Sequence, residues 1–208
     1  MEEKSNMTAE RSLEIIRESI EQSQRTISKN SSYSFIWWGL CVVVFSLLIA
    51  YLWANHGGPV WNILWAVMWI VGYMGERIYD KYKESVPTTF VSKTISHVWN
   101  TFGIFMGFLG LILGLAGCGV LHVNVAFPYG YYYLNITSII SLCFGIATTI
   151  TGFILKNRII QVCGVIAGLG GFFYALQYPG VEQLYVMAAV AVIGLIIPGI
   201  IISFQNKK

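Results

Sequence analysis

Long apolar segments separated by short polar stretches dominate this chain of 208 residues. Hydrophobic residues make up 56% of it and charged residues 11%, a balance that no water-facing domain of this size tolerates. Each segment is near the length that a helix needs to cross the hydrocarbon layer of a bilayer. The segments lie at 33–54, 60–76, 98–121, 134–155, 159–176 and 183–204. The sequence therefore predicts an all-α, polytopic membrane protein with six transmembrane helices.

The positions of the basic residues predict how these helices are oriented. All thirteen Lys and Arg residues fall in the N-terminal arm, the second loop, the fourth loop or the C-terminal tail. With six spans, those four regions lie on one side of the membrane, and regions rich in Lys and Arg stay in the cytoplasm. We therefore expect a protein of the bacterial cytoplasmic (inner) membrane with both termini in the cytoplasm.

Three turns that contain Pro and Gly mark the predicted outer ends of the spans. They are Gly57-Gly58-Pro59, Pro128-Tyr129-Gly130 and Pro179-Gly180. Each turn joins two consecutive spans, so the six helices form three hairpins. The chain then divides into a cytoplasmic amphipathic arm at 1–32 and a six-helix transmembrane domain at 33–208.

Small residues recur at alternating spacings of four and three in the third, fourth and fifth spans. Such stripes let helix backbones approach closely, and close approach is a main source of helix association in lipid. The glycines concerned are Gly103, Gly107, Gly110, Gly114 and Gly117 in the third span, Gly145 and Gly152 in the fourth, and Gly164, Gly168 and Gly171 in the fifth. We expect the three spans to pack through these glycines. We also expect the groove of the third span to be filled by the same chain.

From Thr8 to Asn30 the sequence has the apolar spacing of an amphipathic helix. Its apolar face consists of Leu13, Ile16, Ile20 and Ile27. Residues 1–32 carry five basic and six acidic groups, whereas a helix that binds a lipid surface is normally rich in Lys and Arg. We therefore expect the arm to dock onto protein. Three occupants stay open: the loops of its own bundle, a second copy, or a cytoplasmic protein partner.

Two stretches of the chain resemble known bacterial membrane proteins. The run from Gly164 to Gly199, with Pro179-Gly180 at its turn and then Gly194 and Pro198, resembles a hairpin of the HdeD-like membrane proteins. That resemblance implies three hairpins, six spans and a stress-related role. The N-terminal half is more similar to small uncharacterised multi-pass proteins of Bacteroidetes-type bacteria. The residues that carry this similarity are 11–16 and the run Ile36-Trp37-Trp38-Gly39. It implies no known role, and neither resemblance carries a catalytic residue.

Polar chemistry is sparse in the predicted spans. No charged residue lies centrally in any of them, which argues against a proton or ion pathway because charge at mid-bilayer is rarely kept without a use. Glu76 and Arg77 end the second span, where we expect an ordinary solvated interface. Pairing with Asp80, Lys81 or Lys83 is the alternative for these two residues.

We also expect no enzymatic activity, no metal and no cofactor. The spans contain no HExxH motif, no GxSxG motif and no paired acidic residues. The four cysteines show no CxxC spacing, which a metal site or a redox centre would normally need. His97 and Asn100, near the cytoplasmic start of the third span, are the best single candidates for a functional polar group.

The leading hypothesis is a non-enzymatic membrane protein with an interaction or regulatory role through its cytoplasmic N-terminal helix. Its expected partners are the lipid bilayer and a cytoplasmic protein, with no nucleic acid, and the sequence does not indicate an oligomeric state. The alternative is a transporter or channel for small solutes or lipids. It would need a neutral polar path near Asn100, Ser141, Thr148 and Thr149.

Reporter fusions test the predicted orientation. Green fluorescent protein fused after Lys208 is expected to fluoresce, and alkaline phosphatase at the same position to be inactive, because the basic residues place this end in the cytoplasm. Phosphatase fused after Gly130, in a predicted outer turn, is the matched control and is expected to be active. An active phosphatase at Lys208 would contradict the six-span topology.

Overall fold

The computed structural model describes residues 9–82, 90–117, 135–178 and 180–205. Helix accounts for 94% of these residues and none of them is in a strand, so the described fold is all-α. The α-helices are α1 (Ala9–His56), α2 (Leu64–Tyr82), α3 (Phe90–Gly117), α4 (Ile136–Ile154), α5 (Arg158–Val165), α6 (Gly171–Gln177), α7 (Glu182–Ala191) and α8 (Ile197–Gln205). A 3-10 helix, Pro59–Ile63, leads into α2. Two π-helical segments, Ile166–Gly170 and Val192–Ile196, join α5 to α6 and α7 to α8.

Five stretches in the described part of the chain are long and apolar enough to cross a membrane, which indicates a multi-pass membrane protein. They are Ser32–His56, Phe90–Ile112, Ile136–Ile154, Arg158–Gln177 and Glu182–Phe204. These stretches correspond to the first and the third to sixth predicted spans. The second predicted span forms the 3-10 helix and α2. It is not among the five, since Glu76, Arg77, Asp80 and Lys81 all lie near the end of α2.

Helix α1 runs from Ala9 to His56 without a break, so the predicted arm and the first predicted span share one helix. The sequence places a boundary at residue 32, but no Pro or Gly occurs between Ala9 and Trp38 to end a helix there. At 1.5 Å per residue, α1 is about 72 Å long, roughly twice the thickness of the hydrocarbon layer.

A tight turn joins α4 to α5 through a Schellman motif. The N–H of Asn157 donates to the carbonyl of Gly152, and the N–H of Lys156 donates to that of Phe153. Lys156 has the positive φ of 52° that this motif requires. The side chain of Asn157 then accepts a hydrogen bond from the N–H of Ile159 and caps the start of α5. The two helices therefore lie antiparallel and close together.

Proline explains the π-helical segment between α7 and α8. Pro198 has no N–H to donate to the carbonyl of Gly194, and its ring would press against that carbonyl in a regular α-helix. The segment Val192–Ile196 widens the helix at this point, and the N–H of Ile197 donates to the carbonyl of Val192, five residues back.

Helix α4 lies at the centre of the described bundle and α3 lies at its periphery. Of the residues in the apolar part of each helix, 50% are buried in α4 but only 6% in α3. The main core cluster joins residues of α1, α4, α5, α7, α8 and both π-helical segments. It consists of Phe35, Phe144, Ile160, Ala167, Val190, Leu195 and Ile202.

The fourth and fifth spans meet through the backbone of their small residues. A Cβ added to Gly145 would lie 2.7 Å from the carbonyl oxygen of Gly164 and 2.7 Å from the nitrogen of Gly168. Farther along the same two helices, a Cβ on Gly152 would lie 2.6 Å from the nitrogen of Gln161. Gly171 lies against Ser141 of α4, 3.0 Å from its Cβ by the same measure. No side chain larger than hydrogen fits at Gly145 while the helices keep this separation.

The groove of α3 is placed differently. A Cβ on Gly103 would lie 3.2 Å from the Trp69 ring of α2, whereas no described atom lies within 4 Å of one on Gly107 or Gly110. The surroundings of Gly114 and Gly117 lie outside the described residues. The described part of the chain therefore does not fill the groove at Gly107 and Gly110, and the expectation that the same chain fills it stays a prediction.

Aromatic packing explains why these two glycines stay open. Helix α3 meets the bundle through Trp99 and Phe102, whose rings pack edge to face against Phe144 with centroids 5.7 Å and 5.9 Å away. Three large rings contribute more contact area than a stripe without side chains. They orient α3 so that Gly107 and Gly110 lie on a neighbouring face that no described residue covers.

Alanine substitutions at Gly145 and Gly110 test this difference. Gly145→Ala is expected to lower the free energy of unfolding by about 1–3 kcal/mol, because its methyl group meets backbone that cannot rotate away. Gly110→Ala is the matched control. It adds the same methyl group where no described atom lies within 4 Å and is expected to leave stability unchanged or raise it by about 1 kcal/mol. Unfolding of the purified protein by SDS in mixed micelles measures both. Equal stability of the two variants would contradict the packing of α4 against α5.

Candidate functional site

The arm enters the bundle at Ser32, where α1 is held by α2 and α8. We call the residues involved the arm-base cluster. Its members are Ser32, Tyr33, Ser34, Trp37 and Trp38 on α1, Gly72, Gly75, Glu76 and Tyr79 on α2, and Gly199 on α8. This cluster fixes the direction in which the arm leaves the bundle.

Two tryptophans of α1 pack against two glycines of α2. A Cβ on Gly72 would lie 2.6 Å from Cη2 of the Trp38 ring, and one on Gly75 would lie 2.7 Å from Nε1 of Trp37. The indole N–H of Trp37 donates a 2.9 Å hydrogen bond to the carbonyl of Gly72. Because the indole rings lie over glycine backbone, α1 and α2 approach closely. The hydrogen bond to Gly72 gives the indole N–H of Trp37 an acceptor.

Glu76 is the acidic centre of the arm-base cluster. Its Oε1 accepts a 3.0 Å hydrogen bond from the Ser34 hydroxyl, and its Oε2 accepts a 3.1 Å bond from the indole N–H of Trp38. Hydrogen bonds to an ionised acceptor are among the stronger ones in proteins. Both bonds reach from α2 to α1, so this one carboxylate fastens the two helices together.

The side chain of Arg77, the next residue, contacts a residue of its own helix. Its Nε donates a 2.8 Å hydrogen bond to the hydroxyl of Tyr73, and its guanidinium lies 5.1 Å from the centre of that ring. The expected ordinary solvated interface is therefore wrong for Glu76, whose carboxylate is bound by α1. Among the described residues, these contacts take the place of the alternative pairing with Asp80 or Lys81, and Lys83 lies outside the described residues.

The C-terminal helix closes the arm-base cluster from the other side. The Ser32 hydroxyl donates a 2.7 Å hydrogen bond to the carbonyl of Gly199 on α8. A Cβ on Gly199 would lie 2.7 Å from the Ile36 side chain, so glycine is needed at this approach. The rings of Tyr33 and Tyr79 stack with centroids 3.6 Å apart. The base of the arm is therefore attached to two helices.

The expected docking residues of the arm lie beyond this cluster, on the N-terminal part of α1. The Leu13 side chain is 66% exposed and that of Ile15 is 45% exposed. Ile16, Ile20 and Ile27 belong to the same helix, and their side chains lie outside what the structure describes. Arg11, Glu14 and Glu18 are also exposed. The large apolar side chains of Leu13 and Ile15 are therefore exposed beside charged side chains.

The other predicted polar candidates lie apart from the arm-base cluster. His97 and Asn100 are both exposed on α3, and the Asn100 amide is 3.5 Å from the Ser96 hydroxyl. Neither residue meets a charged partner among the described residues. The structure therefore does not bring these two candidates into a common site.

Polar side chains in the described core belong mainly to α4. The indole N–H of Trp99 donates to the Thr151 hydroxyl at 3.2 Å, and the Thr137 hydroxyl donates to the Gln183 side chain at 2.7 Å. Ser141 and Thr148 are fully buried, and their hydroxyls have no hydrogen-bond partner among the described residues. These groups are held between helices that pack tightly.

A groove of about 260 Å³ runs along the outside of α4 and α5. Leu142, Ile146 and Ile150 form one wall, Val165 and Leu169 the other, and Thr149 is the polar side chain in its lining. Ser141, Thr148 and Asn100 do not line this groove. The four groups proposed for a polar path are therefore divided between core, groove and surface.

Ligand-forming residues do not cluster in the described ranges. No group of three His, Cys, Asp or Glu side chains could hold a metal ion there. Cys41, Cys143 and Cys163 are free thiols, and Cys118 lies outside those ranges. The arrangement that the structure does offer, a carboxylate bound by two donors next to packed aromatic rings, is suited to holding helices in place.

The arm-base cluster is the feature that reading the sequence missed. A signal for it exists: adjacent tryptophans at 37 and 38 on one helix, and Gly72, Gly75 and Glu76 at helical spacing on the next. A search that pairs large residues of one helix with small residues of the next helix would find this cluster, whereas a search along a single helix would not.

Comparison with protein-family models, with curated proteins and with solved structures finds no match to this chain. Its function therefore has to be inferred from its own residues.

Substitution of Glu76 tests the attachment of α1 to α2. Glu76→Ala leaves the Trp38 N–H and the Ser34 hydroxyl without their acceptor and is expected to lower the free energy of unfolding by about 1–3 kcal/mol. Asp80→Ala removes an exposed carboxylate one turn further along α2 and is expected to change it by less than about 0.5 kcal/mol. SDS unfolding in micelles measures both variants. A Glu76→Ala protein as stable as Asp80→Ala would contradict the role given to this carboxylate.

Proposed function

We propose that this chain is a non-enzymatic, multi-pass membrane protein that engages a protein partner through its N-terminal helix. The observation that carries the proposal is the continuity of α1, which runs from the exposed Leu13 to the core residue Phe35 without a break. A helix that only covered its own bundle would bury its apolar side chains. Leu13 and Ile15 are instead exposed.

Charge supports a protein partner over a lipid surface. Helices that lie on membranes present Lys and Arg to the anionic headgroups, and acidic residues oppose that contact. The arm exposes Glu14 and Glu18 beside Leu13 and Ile15. A protein surface, which can offer both signs of charge around an apolar centre, fits this composition better.

The proposed topology has six spans in three hairpins. Residues 59–75 carry no charge, and their 3-10 turn rises about 2.0 Å per residue, so with α2 they extend about 28 Å before Glu76. That length nearly matches the hydrocarbon core. Arg77, Lys93, Lys156 and Arg158 are exposed at helix ends on the same side as the arm. This supports a cytoplasmic arm and an inner-membrane location of bacterial type.

The polar groups expected to line a transport path lie in separate places, which favours the interaction proposal over transport. A path for solutes needs its polar groups to face one continuous space. Asn100 is exposed on α3, Thr149 borders an apolar groove, and Ser141 and Thr148 are buried against neighbouring helices. The stress-related role implied by the HdeD-like resemblance would give the interaction its setting and stays a prediction.

Photo-crosslinking tests the proposed interaction. A photo-reactive phenylalanine analogue in place of Leu13 is expected to yield a covalent adduct with another polypeptide in intact cells, because this side chain is 66% exposed on the proposed docking face. The same analogue at Tyr82, which is 87% exposed at the end of α2, is the matched control and is expected to yield none. Adducts are detected by gel shift and identified by mass spectrometry.

Deletion of residues 1–30 completes this experiment. The shortened chain is expected to insert normally, because the core residues begin after the deletion, and to lose the complex. If Leu13 gives no adduct, or if Tyr82 gives the same adduct, the interaction proposal is wrong.

A further inference from the structure

We infer that the partner of the arm is a second copy of this chain, bound through parallel pairing of the two N-terminal helices. This inference rests on the proposed function, since it requires the arm to bind protein. It goes further by naming the partner and the register of the contact. Three properties of α1 carry it: the spacing of its apolar residues, the placement of its charges, and its unbroken entry into the bundle.

The apolar residues of the arm follow a heptad repeat. With Leu13 at position a, the a and d positions from there to the end of the arm are Leu13, Ile16, Ile20, Ser23, Ile27 and Asn30. This repeat of 3.5 residues keeps one seam facing a partner helix along the whole arm. In a parallel pair in register, Ser23 faces the Ser23 of the second copy and Asn30 faces its Asn30, so each polar position of the seam meets another polar side chain. An antiparallel pair would set the Ser23 hydroxyl against an apolar residue.

At the edges of this seam, charge occurs at two e positions, Glu10 and Arg17, and at none of the g positions between Ala9 and Ser31. In a parallel pair each g position faces the e position five residues further along the other helix. These facing pairs are Ser12 with Arg17, Ser19 with Gln24, and Thr26 with Ser31. No pair brings like charges together, so the helix is compatible with a copy of itself. Charges at e and g set the choice of partner, and the uncharged g positions here place no repulsion against a second copy.

Six of the eight charged residues between Ala9 and Ser31 occupy the outward positions b, c and f. They are Arg11, Glu14, Glu18, Glu21, Arg25 and Lys29. Such a distribution leaves the seam itself free of charge and keeps the charged outside of a pair in contact with water. Glu14 and Glu18 are exposed in the structure, as this placement requires.

The structure supplies the parallel geometry. Helix α1 continues unbroken into the bundle, and the arm-base cluster holds it at Ser32, Ser34 and Trp38. Two copies in one membrane therefore present their arms on the same side and in the same direction. About three heptads form a marginal coiled coil in free solution. Confinement to a membrane raises the effective concentration of the second arm and favours the pair.

Disulfide crosslinking tests this pairing with two cysteine variants. Leu13→Cys lies at position a, in the seam, and Glu18→Cys lies at position f, on the far side of the helix. Both side chains are exposed in the single chain, so accessibility alone gives no difference between them. The full-length protein, with its four native cysteines replaced by alanine, is reconstituted alone into lipid vesicles and oxidised. Leu13→Cys is expected to form at least about tenfold more dimer than Glu18→Cys, because a disulfide needs the two Cα atoms within about 7 Å.

Charge substitution at the same position gives a second test. Leu13→Lys and Leu13→Glu each place like charges face to face and are expected to abolish copurification of two differently tagged copies. Co-expression of the Lys form with the Glu form is expected to restore it, since opposite charges then meet across the seam. Failure of the mixture to restore pairing would overturn the in-register arrangement.

The outcomes of these experiments distinguish failure of this inference from failure of the proposed function. Equal crosslinking of Leu13→Cys and Glu18→Cys, or no crosslinking of either, overturns the pairing of two copies. If the photo-reactive analogue at Leu13 still labels a different polypeptide in cells, the arm binds protein and only the identity of the partner is wrong. If it labels nothing, both the inference and the proposed function are wrong.

Discussion

Contact between bare helix backbones is the interaction on which this bundle depends. Lipid tails are as apolar as leucine, so burying leucine side chains between helices gains little in a membrane, and close approach of the main chains has to contribute instead. Gly145 lies against Gly164 and Gly168 at the contact of α4 with the fifth span. A related contact occurs at Gly72 and Gly75, where the glycine backbone of α2 packs against the indole rings of α1. Glycine therefore sets the distance between helices at both of these contacts.

The sequence predicted where the helices of this fold lie in the chain better than it predicted which surfaces of those helices contact each other. The lengths of the apolar segments identified the five stretches that can cross a membrane, because that requirement is local. The open face at Gly107 and Gly110 could not be foreseen, since a stripe of small residues shows where a helix could be approached but not which face the larger rings will occupy. Trp99 and Phe102 decide that question, and their partner Phe144 is more than forty residues away in the chain.

The candidate site shows the same limit at Glu76. Along the chain, this residue stands at the start of a charged stretch, which is the pattern of an ordinary membrane boundary. Its partners Ser34 and Trp38 lie about forty residues earlier, on another helix. No periodicity within α2 contains that information. The apolar face of the arm, by contrast, is a property of one helix, and the exposed Leu13 lies on it as the spacing predicts.

Because α1 is continuous, a rotation of this helix about the arm-base cluster displaces its N-terminal end. From Ala9 to Ser31 the helix extends about 35 Å beyond that point, so a tilt of about 10° in the membrane moves its tip by about 6 Å. Bilayer thickness and tension alter the tilt of transmembrane helices, and a stiff extension converts such small rotations into displacements as large as a side chain. Under the proposed function, a change in the tilt of α1 would therefore move the partner that the arm holds.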